Sequence, residues 1–261
     1  MWQVKFAAEK TQALVISRSR ENVRLTESQL KLGEDTLVIK DFINILGVEL
    51  DSKFSFDRHL ESVARKASLR VTFLRRVRHL LDAKGVMTLY KAQVRPIMEY
   101  SPLSWMCSAQ SHLSLLDKVQ RRADRLLHVP QAELQRHRHQ EQQLQQRQQR
   151  HHPHPHPINV LDSLEHRRRV GALTVLHKVQ VQQIPHLTAL RIPWRKSERT
   201  TRAVVSDTLL EVPRCHSVRC QRVFSHDTAV LWNAFTSAVD VSSMSTQQVV
   251  CRPRLVTDTS A

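Results

Sequence analysis

Between residues 2 and 56 the apolar positions come in short runs and alternations: WQVKF, QALVIS, VRLTESQLKL and TLVIKDFINILGVEL. Apolar residues at every second position suit one face of a strand, so short strands are expected here, punctuated by Gly33 and Gly47. From Asp57 the period lengthens. Leu60, Val63, Ala67, Val71, Leu74, Val77 and Leu81 recur at three- and four-residue steps, one helical stripe that Asp57 is placed to start and a turn at Gly85 to follow. A second helix is predicted over about 84–94, stopping short of Pro96 because proline disfavours the α conformation in the residue before it. Helical spacing returns over 111–128 through Leu116, Val119, Ala123, Leu126 and Leu127, and over 159–182 through Leu161, Leu164, Leu173, Leu176 and Val179. Pro185, Pro193 and Pro213 break the pattern after that, until a last helical stretch near 225–238.

The fold expected from this pattern is α+β and mainly helical, with a small β-rich part at 1–56, helices over 57–130 and a C-terminal helical region over 158–240. Residues 241–261 are expected to be a disordered tail. Residues 131–157 interrupt the helices with a tract that includes QRHRHQEQQLQQRQQRHHPHPHP. It is too polar, and too proline-broken at its end, to pack a core, so a disordered Gln/His/Pro linker is predicted. The competing reading makes the tract a metal-binding or protein-interaction module.

Composition narrows the class. The chain has 261 residues, 41% of them hydrophobic, with only 4 Gly. So little glycine argues against phosphate-cradling loops and tight hairpins and favours long helices. Lys and Arg number 40 against 24 Asp and Glu, a formal net charge of +16. An excess of that size calls for a polyanionic partner: RNA, DNA or an RNA–DNA hybrid. An anionic membrane is the lesser candidate, because no apolar run approaches the length of a bilayer span and no Trp/Phe-rich amphipathic face is visible. No small-molecule substrate is expected. MWQVKFAAEK carries no signal-peptide core, and the four scattered cysteines fit reduced thiols, so an intracellular protein, nuclear or cytoplasmic, is expected.

The positive charge is patterned. Lys118, Arg121, Arg122 and Arg125 follow i, i+3, i+4, i+7 spacing, which gathers them on one face of a helix, nearly opposite its apolar stripe. Arg65, Lys66, Arg70, Arg75 and Arg76 crowd the helix from residue 57, and Arg167 and Arg168 belong to a third cluster. Each such face could be merely solvated; three of them at this net charge point to contacts with a phosphate backbone. Other constellations are weaker. Cys215, Cys220 and His226 have Cys-x4-Cys-x5-His spacing, which lacks the close pair of structural zinc sites, so no metal site is assigned. Tyr90, Tyr100, Trp105 and Trp232 could stack on bases, but Tyr90, Trp105 and Trp232 stand in apolar contexts that favour the core.

Several strings are recognisable. FAAEKTQALVIS, INILGVELDSKFSFDRHLESVARKAS and LYKAQVRPIMEYSPLSWMCSAQSHLSLLDKVQRRADRLL, followed after the tract by LDSLEHRRRVGALTVLHKVQ and FSHDTAVLWNAF, resemble in order the reverse transcriptases of jockey-like non-LTR retrotransposons. The resemblance runs from residue 2 to about 240, apart from 131–157. It implies that 1–56 is a palm-edge remnant, that 57–130 is the helical thumb and its connection, and that the activity of the complete parent enzyme is RNA-directed DNA polymerisation using Mg²⁺. Lys10 matches the lysine of the family's Lys-Thr palm string and is the one implied contact to a nucleotide phosphate. Two-metal phosphoryl transfer needs carboxylates that bridge two cations, and the sequence contains no adjacent pair of aspartates. Asp51, Glu99 and Glu165 are expected to be structural or ion-paired. The chain begins just after the place where the catalytic aspartates of the family should lie, so it is expected to be an inactive fragment that retains nucleic-acid binding, with no cofactor of its own. An inert product of a decayed element is the alternative.

Overall fold

A computed structural model describes residues 10–17, 30–127, 161–195, 208–241 and 243–251. The tract at 131–157, the WQVKF run and VRLTESQLKL before residue 30 lie outside the described residues. Among the described residues the fold is α+β and mainly helical, with two small antiparallel sheets of two strands each. No helix of the described residues is long and apolar enough to cross a membrane.

The strands form where the alternation ended in glycine. β1 (Lys31–Leu32) and β2 (Asp35–Thr36) turn back at Gly33, and β3 (Phe42–Ile45) and β4 (Val48–Asp51) turn back at Leu46 and Gly47. Two of the four glycines thus make the tight hairpins that the low glycine content argued against. Ile45 faces Val48 in register, leaving a two-residue loop with φ of +48° at Leu46 and +85° at Gly47. Both central residues of such a loop must be left-handed, because only that twist matches the flanking strands. The Gly47 amide donates to Asn44 Oδ1 at 2.9 Å, which closes the turn. An isolated bridge joins Ala13 to Ile39.

The long helices follow. They are α1 (Asp57–Val77), α2 (Ala83–Gln93), α3 (Arg95–Met98), α4 (Pro102–Trp105), α5 (Gln110–Leu127), α6 (Leu164–Gln180), α7 (Val218–Gln221), α8 (Phe224–Ala238) and α9 (Thr246–Cys251). Gly85 is not the turn after α1. It lies inside α2, whose N-cap is Asp82: the Asp82 carboxylate accepts from the Gly85 amide at 2.7 Å. A Cβ at position 85 would stand 3.0 Å from that carboxylate, so the missing side chain leaves room for the cap.

The chain packs as two compact units that are not consecutive in sequence. One comprises residues 1–62, 101–113 and 168–261, and the other residues 63–100 and 114–167. In the first, a core of Leu173, Leu176, Ile192, Leu210, Ala229, Trp232, Phe235, Val241 and Val249 joins α6, α8, α9 and the segments between them. Asn233 holds the 208–210 segment by both its amide groups, accepting from Leu210 N at 2.7 Å and donating to Leu210 O at 2.9 Å. Trp232 Nε1 donates to Thr208 O at 2.9 Å, which satisfies a buried indole. Val241 and Val249 belong to this core, and 246–251 is helical, so the expectation of a disordered tail fails at 241 and over 243–251. In the second unit, Val63, Ala67, Val71 and Leu74 of α1, Val86 and Tyr90 of α2, and Leu116, Val119, Ala123 and Leu127 of α5 are buried. On α1 and α5 these residues belong to the stripes that the three- and four-residue spacing marks out, of which Val77, Leu81 and Leu126 are only half-buried.

Candidate nucleic-acid interface

The two helices that carry most of the positive charge present it differently. On α5 the burial of Leu116, Val119, Ala123 and Leu127 turns the opposite side outward, and Lys118, Arg121, Arg122 and Arg125 are all exposed on it. One helical period separates apolar and cationic sets, so packing one presents the other. On α1, Arg65, Lys66, Arg70, Arg75 and Arg76 are exposed too, but the outer face is mixed. Leu69 and Phe73 stand among the arginines, Phe73 with 49% of its surface exposed. An exposed aromatic ring within a basic face is the arrangement by which sequence-tolerant single-strand binders stack bases. Phe73 is not among the aromatics singled out from the sequence. Its position, three residues from Arg70 and from Arg76, is the signal that was there to be read.

The third basic cluster does not join this set. Arg167 is an internal clamp: Nε lies 2.8 Å from Glu99 Oε1, Nη2 donates to Gln120 Oε1 at 2.8 Å, and Nη1 donates to Asp162 O. Only 11% of its side chain is exposed. Glu99 is shared with Arg95, whose Nε bonds both carboxylate oxygens at 3.0 Å. Arg168 is buried with its guanidinium over the Trp105 ring, 5.8 Å from the centroid. The phosphate-contact assignment of Arg167 and Arg168 is therefore corrected: a guanidinium takes an interior place when a carboxylate, amide oxygens or an aromatic face replace its water. Lys10 is exposed.

The other candidates resolve as structural. Tyr90, Trp105 and Trp232 are buried, whereas Tyr100 is 53% exposed. Asp51 organises the loop between β4 and α1: its carboxylate accepts from Lys53 N, Ser55 N, Ser55 Oγ and Phe56 N at 2.8–3.1 Å. Burial alone would raise its pKa, but the bonds from Ser55, Phe56 and Lys53 outweigh that and hold it below the ordinary carboxylate value. Those bonds hold Phe54 and Phe56 in the left-handed region, at φ +52° and +58°, where bulky residues are strained. Arg58 pairs with Glu49 at 3.0 Å and covers the Phe42 ring. The DSKFSFDR string thus encodes a strand-to-helix corner, not a metal site.

Among the described residues no group of three or more His, Cys, Asp or Glu side chains is placed to hold a metal ion. The described residues do not fit the paired Mg²⁺ of a polymerase: the sequence lacks adjacent aspartates, Asp51 is bonded within its own loop, and Glu99 is paired with Arg95 and Arg167. Cys215 and Cys220 adjoin, but His226 Nδ1 is bonded to Gln221 O at 3.0 Å. Comparison with protein-family models, with curated proteins and with solved structures finds no match to this chain.

Proposed function

We propose that the chain corresponds to the palm edge, thumb and following region of a non-LTR retrotransposon reverse transcriptase, and that its own capacity is sequence-independent binding of RNA, DNA or their hybrid. The observation that carries the binding reading is α5, where four cations at helical spacing are exposed together and their apolar counterparts are buried. Each phosphate such a face neutralises releases counterions and adds affinity whatever the base sequence. A hybrid duplex is A-like, so contact is to backbone and shape. On α1, Phe73 adds a stacking surface for an unpaired base beside Arg70 and Arg76.

The family part of the proposal rests on the ordered strings ILGVELD, VRPIMEYSPLSW and LDKVQRRA. Polymerisation is left out of the proposal, because the sequence has no adjacent aspartates and two-metal transfer needs carboxylates that bridge both cations.

Fluorescence anisotropy with a labelled hybrid duplex tests the interface. Replacing Arg121, Arg122 and Arg125 together by alanine should weaken binding roughly tenfold at low salt and lower the salt slope by about 2–3. Phe73→Ala should weaken single-strand binding by about 1–2 kcal/mol and leave the slope unchanged. If the triple variant changes neither affinity nor slope, α5 is not the interface. A second reading has an observation behind it, since Leu69, Phe73 and Leu80 are exposed together in the α1 region and could contact protein. In that case Phe73→Ala leaves nucleic-acid affinity intact.

A further inference from the structure

Cys215 and Cys220 lie at the two ends of a short turn, Cys215 just before Ser217 and Cys220 within α7. Both are free thiols and partly exposed, and their Sγ atoms are 2.7 Å apart. A disulfide bond is about 2.05 Å, so bonding requires the sulfurs to close by only roughly 0.7 Å. The backbone between them is already folded for this approach. Ser217 caps α7, its Oγ accepting from Cys220 N at 3.2 Å, and Gln221 N donates to Ser217 O at 3.1 Å.

We propose that Cys215 and Cys220 form a modification site, a reversible intrachain disulfide that clips the 215–220 turn. The co-reactant is a small-molecule disulfide such as oxidised glutathione. A thiolate of the pair attacks one sulfur of the reagent, forming a mixed disulfide and expelling one small thiolate. The second cysteine, deprotonated, attacks the protein sulfur of that mixed disulfide, forms the Cys215–Cys220 bond and expels the second small thiolate. Two thiol protons leave, two electrons pass to the reagent, and one disulfide is exchanged for another. Cys220 beside it raises the Cys215 thiol to about 11, so exchange through Cys215 quickens as pH rises.

The turn matters because of what α7 and its C-cap residue Arg222 carry. Arg219 donates to the carbonyl of Lys53, in the loop organised by Asp51, and Arg222 donates to the carbonyl of Ser108 at 3.5 Å. Both contacts lie within one compact unit. The clip encloses Arg219 and ends two residues before Arg222, so it acts directly on the contact at the corner that leads into α1. Cys107 is a separate thiol: burial raises it most, with Arg219 opposing.

The test uses the full chain, incubated with oxidised or reduced glutathione, alkylated, digested and mapped without reductant. The oxidised sample should lose the mass of two hydrogens, yield a Cys215–Cys220 linked peptide and resist trypsin after Arg219. Reduction should restore cleavage. Cys107→Ser should keep the linkage, and Cys215→Ser and Cys220→Ser should each abolish it. Full alkylation of both cysteines after oxidation, or linkage of either to Cys107 or Cys251, would overturn the proposal. If serine variants fold poorly, the wild-type linkage map alone decides.

Discussion

Asp51 shows how much one side chain can organise. Its carboxylate ties Lys53, Ser55 and Phe56 into a corner whose backbone is left-handed at two phenylalanines, a conformation that costs on the order of 1 kcal/mol per residue. Asp51→Asn keeps the shape but turns a donor toward donors. It should destabilise the chain by about 1–2 kcal/mol, read as a lower midpoint in urea unfolding. The sign with pH is fixed by the direction of the shift. The folded carboxyl titrates below its ordinary 3.8, so its contribution is complete above that value and is lost as pH falls through the lower folded value. The asparagine variant should lack that part of the acid limb, and an unchanged limb would remove Asp51 from this role. Arg167 teaches the same lesson about charge. Three arginines in a row look like a phosphate-binding cluster, yet this one is placed by Glu99, Gln120 and Asp162.

At the scale of elements, one-sided burial explains which helices were easy to find. α5 separates its apolar and cationic sets, so its predicted span of 111–128 lies within one residue of Gln110–Leu127 at each end. α6 begins five residues later than predicted and buries Arg168, Ala172, Leu173, Leu176, His177 and Gln180, a mixed set that blurs the period. Its Gly171 is helical, and a Cβ there would meet nothing within 4 Å. Gly171→Ala should therefore stabilise the chain by about 0.5–1 kcal/mol, because alanine restricts the unfolded chain and no contact opposes it. A lower melting temperature in calorimetry would show that the space is not open. The β3–β4 turn runs the other way: Leu46 stands left-handed where asparagine or glycine is ordinary, so register with β4, not local preference, sets it.

At the scale of the whole molecule, stability should depend on pH near neutrality through His177. Its ring is fully buried in α6, and burial lowers its pKa more than the neighbouring Met244 and Val241 backbone raises it. The unfolded chain takes up the proton near 6.5 and the folded chain only at lower pH. Stability contributed by the neutral ring is thus present above 6.5 and is lost as pH falls below it. His177→Leu should flatten that decline and leave the melting temperature at pH 8 no lower, since a buried polar ring gives way to an apolar side chain of similar size. Melts at pH 5, 6.5 and 8 check this; equal slopes in both proteins would exclude it.

Periodicity by itself determined the mainly helical α+β class, the start of α1 at Asp57, the spans of α2, α5 and α8 to within a residue or two, and the cationic face of α5. These depend on spacing along one helix, which a sequence states directly. The inward turn of Arg167 and Arg168, the burial of Val249 and the strain at Leu46, Phe54 and Phe56 were decided by tertiary structure. So was the approach of Cys215 to Cys220, which a spacing of five residues permits but does not require. In each case the deciding partner lies on another element or in a specific backbone turn, and local pattern carries no information about which distant group replaces the water around a side chain.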